Sequence, residues 1–381
     1  MTQYQFHGLN PRKTKRAQIE ATLQGQTITW RRNLGLRLRG YPETHARAAV
    51  ALACAKEPST SKLAQWGKGK LFELQYNWAR AFFSKRPQAV ALAWNGLNGS
   101  RRVWIEAARD AGAKVLCFEH APVPNAITAD PKGVNFANAL PRVGQPYIDW
   151  LARHPEARGA WHPAANRITQ RKPNPAKDGL ASDLDAPSLE TNFLFVPLQY
   201  QGDSQLRIFG GRCRTLEQTI DHVVEAAKNL PEGWHLRVKE HPSDPSTIRP
   251  HLEAARGALP IFIDNATDTF AQVRAAKAVV TVNSSVGLEA LMLGKPVVVM
   301  GEAFWALPGL TISGQTPADL AAALAAPEHL TYDPELREAF LSYLVACYYP
   351  RLDETENGYK MPSADRAHVI ARLETPLVTE D

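Results

Sequence analysis

Cysteine is scarce in this chain, and its cysteines are far apart. The 381 residues include Cys54, Cys117, Cys213 and Cys347. No two of them have the C-x-x-C spacing that is typical of zinc sites. This pattern excludes a zinc ribbon and a disulfide framework, and it fits a reducing compartment.

Long apolar runs are also missing. No window approaches the roughly 18 apolar residues that a membrane-spanning helix needs, and the first residues have no apolar core of signal-peptide length. With 44% hydrophobic and 22% charged residues, the composition is that of a globular protein long enough for two domains. We therefore expect a cytoplasmic protein, either soluble or peripheral at the inner face of the inner membrane.

The positive charge is concentrated at one end of the sequence. Residues 1–40 contain eight Lys and Arg residues against Glu20 alone, a net of +7, whereas the whole chain carries +6. Such a patch suits anionic lipid, an acidic glycan or nucleic acid, or else it is a solvated face. No helix-turn-helix, RNP or zinc signature accompanies it, so we expect no nucleic acid and predict contact with an anionic membrane surface.

The pattern of residues 278–301, AVVTVNSSVGLEALMLGKPVVVMG, predicts an α/β unit. The aliphatic runs at its two ends predict buried parallel strands around a short helix. Ser284 and Ser285 stand where strand becomes helix, where hydroxyls and first-turn N–H groups favour a phosphate. Glu289 follows one helical turn later and is placed to accept hydrogen bonds from a ribose diol. The alternative is that the serines only cap the helix and that Glu289 is solvated.

A second strand with polar residues at its carboxyl end is predicted at residues 236–239. Lys239 and His241 are one residue apart there, so we predict that both face a phosphate, each with one donor. The alternative for His241 is a purely structural role.

Residues 89–118 predict a βαβ unit whose strand and helix are joined by the glycine-bearing turn NGLNGS. In open α/β sheets, ligands bind beyond the carboxyl ends of the strands. Asn98, Ser100 and Arg101 lie in or just after this turn, so they are candidate contacts for a sugar carboxylate or an acceptor. Alternatively, Arg101 is simply solvated.

A long polar loop is predicted over residues 118–142, and it holds two carboxylates, Glu119 and Asp130. Glycosyl transfer uses such groups as base, nucleophile or electrostatic stabiliser of an oxocarbenium-like centre. The alternative is that Asp130 caps its own Asp-Pro turn and that Glu119 is an edge charge.

These patterns predict an α/β protein with two Rossmann-like domains facing across a cleft, the GT-B glycosyltransferase architecture. We place the first domain at residues 1–165, the linker at 166–191, the second domain at 192–335, and helices that pack back on the first domain at 336–381. Residues 1–88 give no motif. Lys, His, Ser and a helix N-terminus suffice to neutralise a nucleotide phosphate, so we expect no cofactor and no metal.

Four stretches carry a family resemblance: FEHAPVPNAITADPKGVN, LQYQGDSQLR, VKEHP and VTVNSSVGLEALMLGKPVVVMGEAFWALPGLT. Together they resemble the capsule-polysaccharide synthesis and export family, which includes the retaining β-Kdo transferases of Gram-negative bacteria, over roughly residues 89–311. The resemblance implies transfer of 3-deoxy-D-manno-oct-2-ulosonic acid (Kdo) from CMP-Kdo, with retention, in capsule or lipopolysaccharide biosynthesis. The implied partners are a nucleotide sugar and a glycan or glycolipid acceptor.

The resemblance also implies roles for the residues of the second domain. Lys239 and His241 match the motif that contacts the CMP phosphate. Ser284 and Ser285 match the hydroxyl pair at the phosphate-binding helix, and Glu289 matches the glutamate that holds the ribose.

In the first domain, Glu119 and Asp130 match acidic positions of the family, and Asp130 is the expected catalytic carboxylate. One departure concerns the three residues after Glu119. Some relatives carry an acid-Gly-Phe run there, whereas this chain has His120, Ala121 and Pro122. The acceptor is therefore not implied by the resemblance.

Two other functions fit the same two-domain pattern. One is a UDP-sugar-dependent transferase or epimerase. The other is a non-catalytic capsule export or glycan-binding protein, since a fold does not by itself determine a function.

Overall fold

The computed structural model describes residues 4–55, 61–168, 182–183, 185–244 and 247–375. These residues form two compact units. Unit 1 contains the described residues up to 140 and those from 347 onward, and unit 2 contains the described part of residues 141–346.

Unit 1 is built on a five-stranded sheet. Its strands are β1 (Gln5–Leu9), β2 (Ile28–Arg31), β3 (Ala89–Trp94), β4 (Lys114–His120) and β5 (Ile127–Asp130). The spatial order is β2-β1-β3-β4-β5, and only β5 is antiparallel to its neighbour. Because β2 and β3 flank β1 on opposite sides, the strand order reverses between β1 and β3, which is where open α/β sheets bind ligands.

Four helices accompany these strands in the described part of unit 1 before the chain leaves it. They are α1 (Lys13–Thr22), α2 (Thr44–Ala53), α3 (Lys62–Ser84) and α4 (Gly99–Asp110). Ser61 caps α3 by accepting a hydrogen bond from the Ala64 N–H. Phe72, Tyr76, Ala79 and Phe83 recur at helical spacing and form its buried face.

One sequence prediction for this unit needs correction, and one segment without a sequence motif contributes to the sheet. Residues 1–88 gave no motif, yet they supply β1, which pairs with β3 at the reversal point. The loop predicted over residues 118–142 contains β5, whose Ile127 and Ala129 are buried in the core of the unit. The sequence did not reveal these short strands, which are flanked by basic or proline-rich turns, because the alternation of apolar and polar residues covers too few positions.

Unit 2 begins earlier than the predicted boundary at residue 165. Its first helices are α5 (Gln145–Arg153) and α6 (His162–Ala165). Tyr147 of α5 packs edge-on against Phe340 and Tyr343 at ring-centroid distances of 5.0 and 5.3 Å. Aromatic packing therefore places this segment in unit 2.

The sheet of unit 2 has six parallel strands in the order β11-β10-β9-β6-β7-β8. They are β6 (Asn192–Pro197), β7 (Trp234–Lys239), β8 (Ile261–Ile263), β9 (Ala278–Thr281), β10 (Val297–Val299) and β11 (Ile312–Ser313). The two strands predicted within residues 278–301 are confirmed as β9 and β10. The strand order reverses between β6 and β9.

Helices follow most of these strands. They are α7 (Ser204–Phe209), α8 (Leu216–Ala227), α9 (Arg249–Arg256), α10 (Thr269–Ala275), α11 (Ser285–Met292), α12 (Pro317–Ala325) and α13 (Pro334–Tyr343). Aliphatic residues of the strands and of α8, α9 and α12 form one buried core. The short α11 is itself almost entirely buried, which matches its apolar sequence.

Most of the predicted linker, residues 169–181 and 184, lies outside the described residues. Its described end belongs to unit 2. The Asp183 N–H donates to the Ile263 carbonyl at 2.8 Å, and the Asp183 carboxylate pairs with Arg249 at 2.8 Å and Arg256 at 2.6 Å.

The predicted C-terminal segment 336–381 is divided between the units. The α13 helix stays in unit 2, whereas the chain from residue 347 onward belongs to unit 1. The latter part forms β12 (Asp353–Thr355), β13 (Gly358–Lys360) and α14 (Ser363–Ala371). Leu352, Met361 and Val369 join the same buried core as Phe6 and Leu92.

Candidate functional site

In unit 2, two amide side chains are hydrogen-bonded to each other at the reversal point of the sheet, between β6 and β9. Gln199 follows β6, Asn283 follows β9, and each bonds the other. The Gln199 Nε2 donates to the Asn283 Oδ1 at 2.9 Å, and the Asn283 N–H donates to the Gln199 Oε1 at 3.2 Å. The Asn283 Nδ2 also donates to the carbonyls of Gln205 (3.1 Å) and Glu302 (3.2 Å). One buried asparagine therefore connects the segments that follow β6, β9 and β10 around the start of α11, a structural role that the sequence did not predict.

The N-terminus of α11 lies at this point. Ser284 is its N-cap, and the Ser284 Oγ accepts a hydrogen bond from the Val286 N–H at 3.3 Å. Ser285 is the first helical residue, so its N–H belongs to the first turn, which has no intrahelical acceptor. Ser284 thus fulfils the capping alternative, while the helix terminus keeps the geometry that suits an anion.

Glu289 is buried, with 7% of its surface exposed. It lies on α11 four residues after Ser285, on the same face of the helix. The alternative reading of a solvated first-turn acid is therefore wrong. A carboxylate held inside the fold next to a helix N-terminus suits recognition of neutral hydroxyl groups.

The aromatic loop after β10 packs directly on α11. A Cβ atom placed on Gly287 would lie 2.3 Å from a Trp305 ring carbon, and Trp305 is 2% exposed. Gly287 therefore permits a close approach between helix and indole. This contact connects the loop after β10 with the helix that carries Ser285 and Glu289.

Substituting Gly287 with Ala should lower the melting temperature, because the new methyl group forces the buried Trp305 ring to move. Overpacking of this kind costs about 1–3 kcal/mol of unfolding free energy. Gly67→Ala on α3 is the matched control, since nothing lies within 4 Å of the added Cβ. The control should be neutral or slightly stabilising. Equal melting temperatures for Gly287→Ala and wild type would contradict the close packing.

Lys239 ends β7 and is buried. Its Nζ donates to the carbonyls of Asn265 (2.6 Å) and Thr267 (2.7 Å). Burial lowers the pKa of Lys239, and the nearby Asp264 and Asp268 oppose this shift. Two of its three N–H donors hold the loop after β8, so the structure assigns Lys239 to bracing that loop as well as to supplying charge.

His241 lies two residues further on and is half-buried. Its Nδ1 accepts a hydrogen bond from the Ser243 N–H at 3.1 Å, and its ring lies 6.2 Å from the Tyr200 ring, edge-on. Because Nδ1 is an acceptor, the neutral ring carries its proton on Nε2. His241 thus meets the loop after β6, whereas Lys239 holds the loop after β8.

In unit 1, Glu119 lies at the carboxyl end of β4 and is held by three donors. Its Oε1 accepts from the Trp94 Nε1 at 3.0 Å and from the His120 N–H at 3.0 Å. Its Oε2 accepts from the Asn95 Nδ2 at 2.8 Å. These bonds fix the orientation of a carboxylate that remains half-buried rather than enclosed.

Asn95 itself has an unusual backbone conformation. Its φ is +67°, and Gly96 follows with φ +78°. Left-handed conformations of residues other than glycine are uncommon and concentrate at functional sites. The Asn95 side chain donates to Glu119 while its Oδ1 accepts from the Leu97 N–H at 3.1 Å, so the strained turn serves to position Glu119.

Basic side chains surround this carboxylate. Burial lowers the pKa of Arg101, Glu119 opposes that shift and Arg12 adds to it, so these three charges are neighbours. The Lys15 Nζ lies 4.7 Å from the Trp94 ring centroid. Arg12 lies in the turn after β1, which ends at Leu9, so the cluster lies at the reversal point of this sheet. Its excess of positive charge suits an anionic ligand.

The other two residues predicted in the NGLNGS turn have simpler positions. Asn98 occupies the N-cap position of α4 without a side-chain capping bond and is half-buried. The Ser100 Oγ donates to the Gln75 Oε1 at 2.8 Å, which connects α4 to α3. Ser100 is therefore a packing contact, whereas Arg101 lies near Glu119.

Asp130 has the opposite environment from Glu119. It is 0% exposed. Its Oδ1 accepts from the N–H groups of Lys132 (2.7 Å) and Gly133 (2.8 Å), and its Oδ2 accepts from the Ala139 N–H (3.0 Å) and the Tyr348 hydroxyl (2.9 Å). The carboxylate that the sequence favoured as catalytic caps its own turn and anchors residue 348. This geometry argues against a nucleophilic role.

The basic patch predicted over residues 1–40 is divided in the structure. Arg16 pairs with Glu20 at 2.8 Å and lies over Trp30. Arg31 lies 4.5 Å from the Phe82 ring centroid, and burial lowers its pKa. Arg12 belongs to the Glu119 cluster. The segment is therefore not one continuous basic face.

A cavity of about 550 Å³ in unit 2 lies elsewhere, at the amino ends of the strands. Residues from the starts of β6 and β7 and the turn before β9 line it, including Asn192, Trp234 and Lys277. Ligands of open α/β sheets bind at the carboxyl ends of the strands, so we assign the candidate site to the N-terminus of α11 instead.

Within the part of the chain that the structure describes, no helix is both long and apolar enough to cross a bilayer.

Two Rossmann-like units with polar sites at the carboxyl edges of their sheets define the fold class of the GT-B glycosyltransferases. The solved structure of Thermosulfurimonas dismutans KpsC, described as a beta Kdo 2,7 transferase, matches with a TM-score of 0.53 at 15% identity. The match covers 97% of this chain and all of that chain. A second KpsC structure, described as a beta Kdo 2,4 transferase, gives a TM-score of 0.52. The predicted fold class is confirmed.

The sequence comparisons relate part of the chain to a known family. Residues 164–350 match the family model described as "Capsule polysaccharide biosynthesis protein". Protein FixF of Sinorhizobium fredii is 30% identical over 288 residues, which are 74% of this chain and 63% of FixF. The Escherichia coli capsule polysaccharide export protein KpsS is 27% identical over 191 residues, 48% of this chain and 47% of KpsS. The chain thus spans about half to two thirds of these relatives.

Proposed function

We propose that this protein is a glycosyltransferase that transfers Kdo from CMP-Kdo, with retention, to a glycan or glycolipid acceptor in capsule or lipopolysaccharide biosynthesis. The observation that carries the proposal is the start of α11. It lies at the reversal point of the sheet in unit 2 and is held by the Gln199–Asn283 amide pair. The family match and the KpsC fold, described for Kdo transferases, support the same reading.

The donor would bind through its nucleotide to unit 2. The N–H groups of the first turn of α11 and the Ser285 hydroxyl face the phosphate, and the His241 Nε2–H donates to it. Glu289 accepts hydrogen bonds from the ribose diol. Lys239 adds positive charge and holds the loop at residues 265–267, so the site needs no metal to neutralise the phosphate.

The acceptor would be activated in unit 1. We assign the catalytic carboxylate to Glu119, because three hydrogen bonds fix its orientation while it stays half-buried. The Oε2 atom accepts only one of these three bonds, so it keeps a second lone pair with which to take the proton of an acceptor hydroxyl. Arg101 and Arg12 supply the positive charge that the sugar carboxylate of Kdo requires near the reacting carbon.

A second candidate function is capsule export or glycan binding without catalysis. One observation favours it: the relative KpsS is named an export protein. The two functions differ in turnover, since only the transferase releases CMP from CMP-Kdo. A UDP-sugar enzyme of the same fold would instead be stabilised by UDP and not by CMP.

The donor site is tested by thermal shift. CMP at about a hundredfold excess over its Kd should stabilise the protein by about 2.7 kcal/mol, because it binds only the native state. His241→Ala should lose most of this shift while keeping its own melting temperature, at about 1.5–3 kcal/mol for a charged hydrogen bond. His251→Ala, which replaces another half-buried histidine of unit 2, on α9, is the matched control and should keep the full shift. An equal CMP shift in the wild type and His241→Ala would remove His241 from the site.

A further inference from the structure

Unit 1 exposes a group of large apolar side chains outside the site described above. Among the residues that the structure describes, eight large apolar side chains are exposed. Six of them come from one region of the chain: Leu36, Leu38, Val50, Leu63, Trp66 and Leu71. Leu38 is 90% exposed and Leu63 76%. Exposed apolar side chains that gather in one region of a soluble protein and are bordered by polar residues mark interaction sites.

The α3 helix places part of this group on one face. Residues 63, 66, 70, 74 and 77 recur at intervals of three and four, so they form a single stripe along the helix. This stripe is opposite the face that carries the buried Phe72, Ala79 and Phe83. The described residues 61–67 are all exposed, so the first turns of α3 leave the stripe uncovered.

The loop before α2 lies on the later part of the same stripe. The Arg37 N–H donates to the Leu74 carbonyl at 3.1 Å, and the Asn77 Nδ2 donates to the Arg37 carbonyl at 3.2 Å. Leu36 and Leu38 flank Arg37. The loop therefore adds its two exposed leucines to the side of α3 that exposes Leu63 and Trp66.

Basic side chains border these apolar residues. The exposed cations of residues 32–39 and of the start of α3 are Arg32, Arg39, Lys62 and Lys70. The acids of the same region are Glu43 and Glu73, and Glu73 is already paired with Lys70 at 2.8 Å and with His45. Leucine and tryptophan bordered by lysine and arginine is the composition of surfaces that lie in the headgroup region of anionic bilayers.

We propose that residues 36–39 and 61–71 form a surface that docks on an anionic lipid bilayer. Leu38, Leu63 and Trp66 enter the boundary between headgroups and acyl chains. Arg39 and Lys62 contact the lipid phosphates. The surface differs from the basic patch that the sequence predicted over residues 1–40, because most of its apolar contacts come from the start of α3. It does not depend on the proposed donor chemistry.

The test is co-sedimentation of the full chain with vesicles of phosphatidylcholine, with and without phosphatidylglycerol. The wild type should bind the anionic vesicles, and binding should fall at high ionic strength. The double variant Leu38→Ser, Trp66→Ala should bind more weakly by about tenfold for each side chain removed. Lys62→Glu should weaken binding by about fivefold or more.

Controls keep the charge and polarity changes constant but move them elsewhere. Lys85→Glu lies at the other end of α3 and makes the same charge reversal. Val143→Ser replaces an exposed apolar residue of unit 2. Both should bind vesicles as the wild type does, and every variant should keep the wild-type melting temperature and CMP shift.

Three results would overturn the proposal. They are equal vesicle binding by the wild type and the double variant, binding to neutral vesicles that salt does not weaken, and a wild-type dimer in light scattering that the double variant loses. The last result would show that a second copy covers the surface. A wild type that binds vesicles through this surface but does not bind CMP would contradict the proposed function without contradicting the membrane-docking surface.

Discussion

Glu119→Gln should reduce CMP release from CMP-Kdo by about 10²–10⁴-fold, the range expected when a general base is removed. The amide keeps the size of the side chain but is unable to take a proton. Its NH₂ group also replaces one of the two oxygens that accept from Trp94 and Asn95. The thermal shift with CMP should be unchanged, because the nucleotide residues lie in unit 2.

Two further variants test whether the loss of CMP release in Glu119→Gln is specific to the carboxylate of Glu119. Glu354→Gln removes an exposed carboxylate of unit 1 and should keep full activity. Asn95→Ala leaves the Glu119 carboxylate in place but removes one of its three donors and the cap of the strained turn. A smaller loss, in turnover rather than in CMP binding, is expected for it. Full activity of Glu119→Gln would contradict the assignment of Glu119 as the base. A wild type that releases no CMP from CMP-Kdo would instead favour the non-catalytic alternative.

The sequence predicted the donor half of the site well because its signals are local. Continuous aliphatic runs identified β9 and β10, and the serines between them identified the start of α11. The role of Asn283 as a clamp was missed because its partners come from two other segments of the chain. Gln199 and Gln205 lie after β6, and Glu302 lies after β10. The residue pattern within one segment does not predict hydrogen bonds that Asn283 makes to other segments.

The acceptor half was predicted less well for the same reason. Residues 1–88 carry no local motif, yet Arg12 and Lys15 lie beside Glu119 and Trp94 once β1 pairs with β3. The two carboxylates of the predicted loop were distinguishable only through burial. Glu119 remains half-buried, whereas Asp130 is enclosed by partners from its own turn and from residue 348.

Asp130→Asn should lower stability far more than it lowers the turnover of the folded protein. All four donors to Asp130 point at its oxygens, so the amide nitrogen must face either two backbone N–H groups or the Ala139 N–H and the Tyr348 hydroxyl. Hydrogen bonds to a charged group contribute about 1.5–3 kcal/mol each, and buried donors left unpaired add about 1–3 kcal/mol. We expect a net loss of about 3–5 kcal/mol in urea unfolding.

Tyr348→Phe is the graded control, because it removes one of the four hydrogen bonds and leaves the turn intact. It should cost about 1–3 kcal/mol, less than Asp130→Asn. Activity is then compared per folded molecule at a temperature where both variants remain native. If folded Asp130→Asn lost transfer as strongly as Glu119→Gln, a structural role of Asp130 would not explain the loss, and Asp130 would have to take part in the transfer.

Incubation with CMP-Kdo and no acceptor, followed by peptide mass spectrometry, tests whether Asp130 forms a covalent bond to Kdo. A Kdo adduct on the peptide containing Asp130 would show that this carboxylate becomes exposed during the reaction and acts as the nucleophile. The buried geometry of Asp130 predicts that no adduct forms on this peptide.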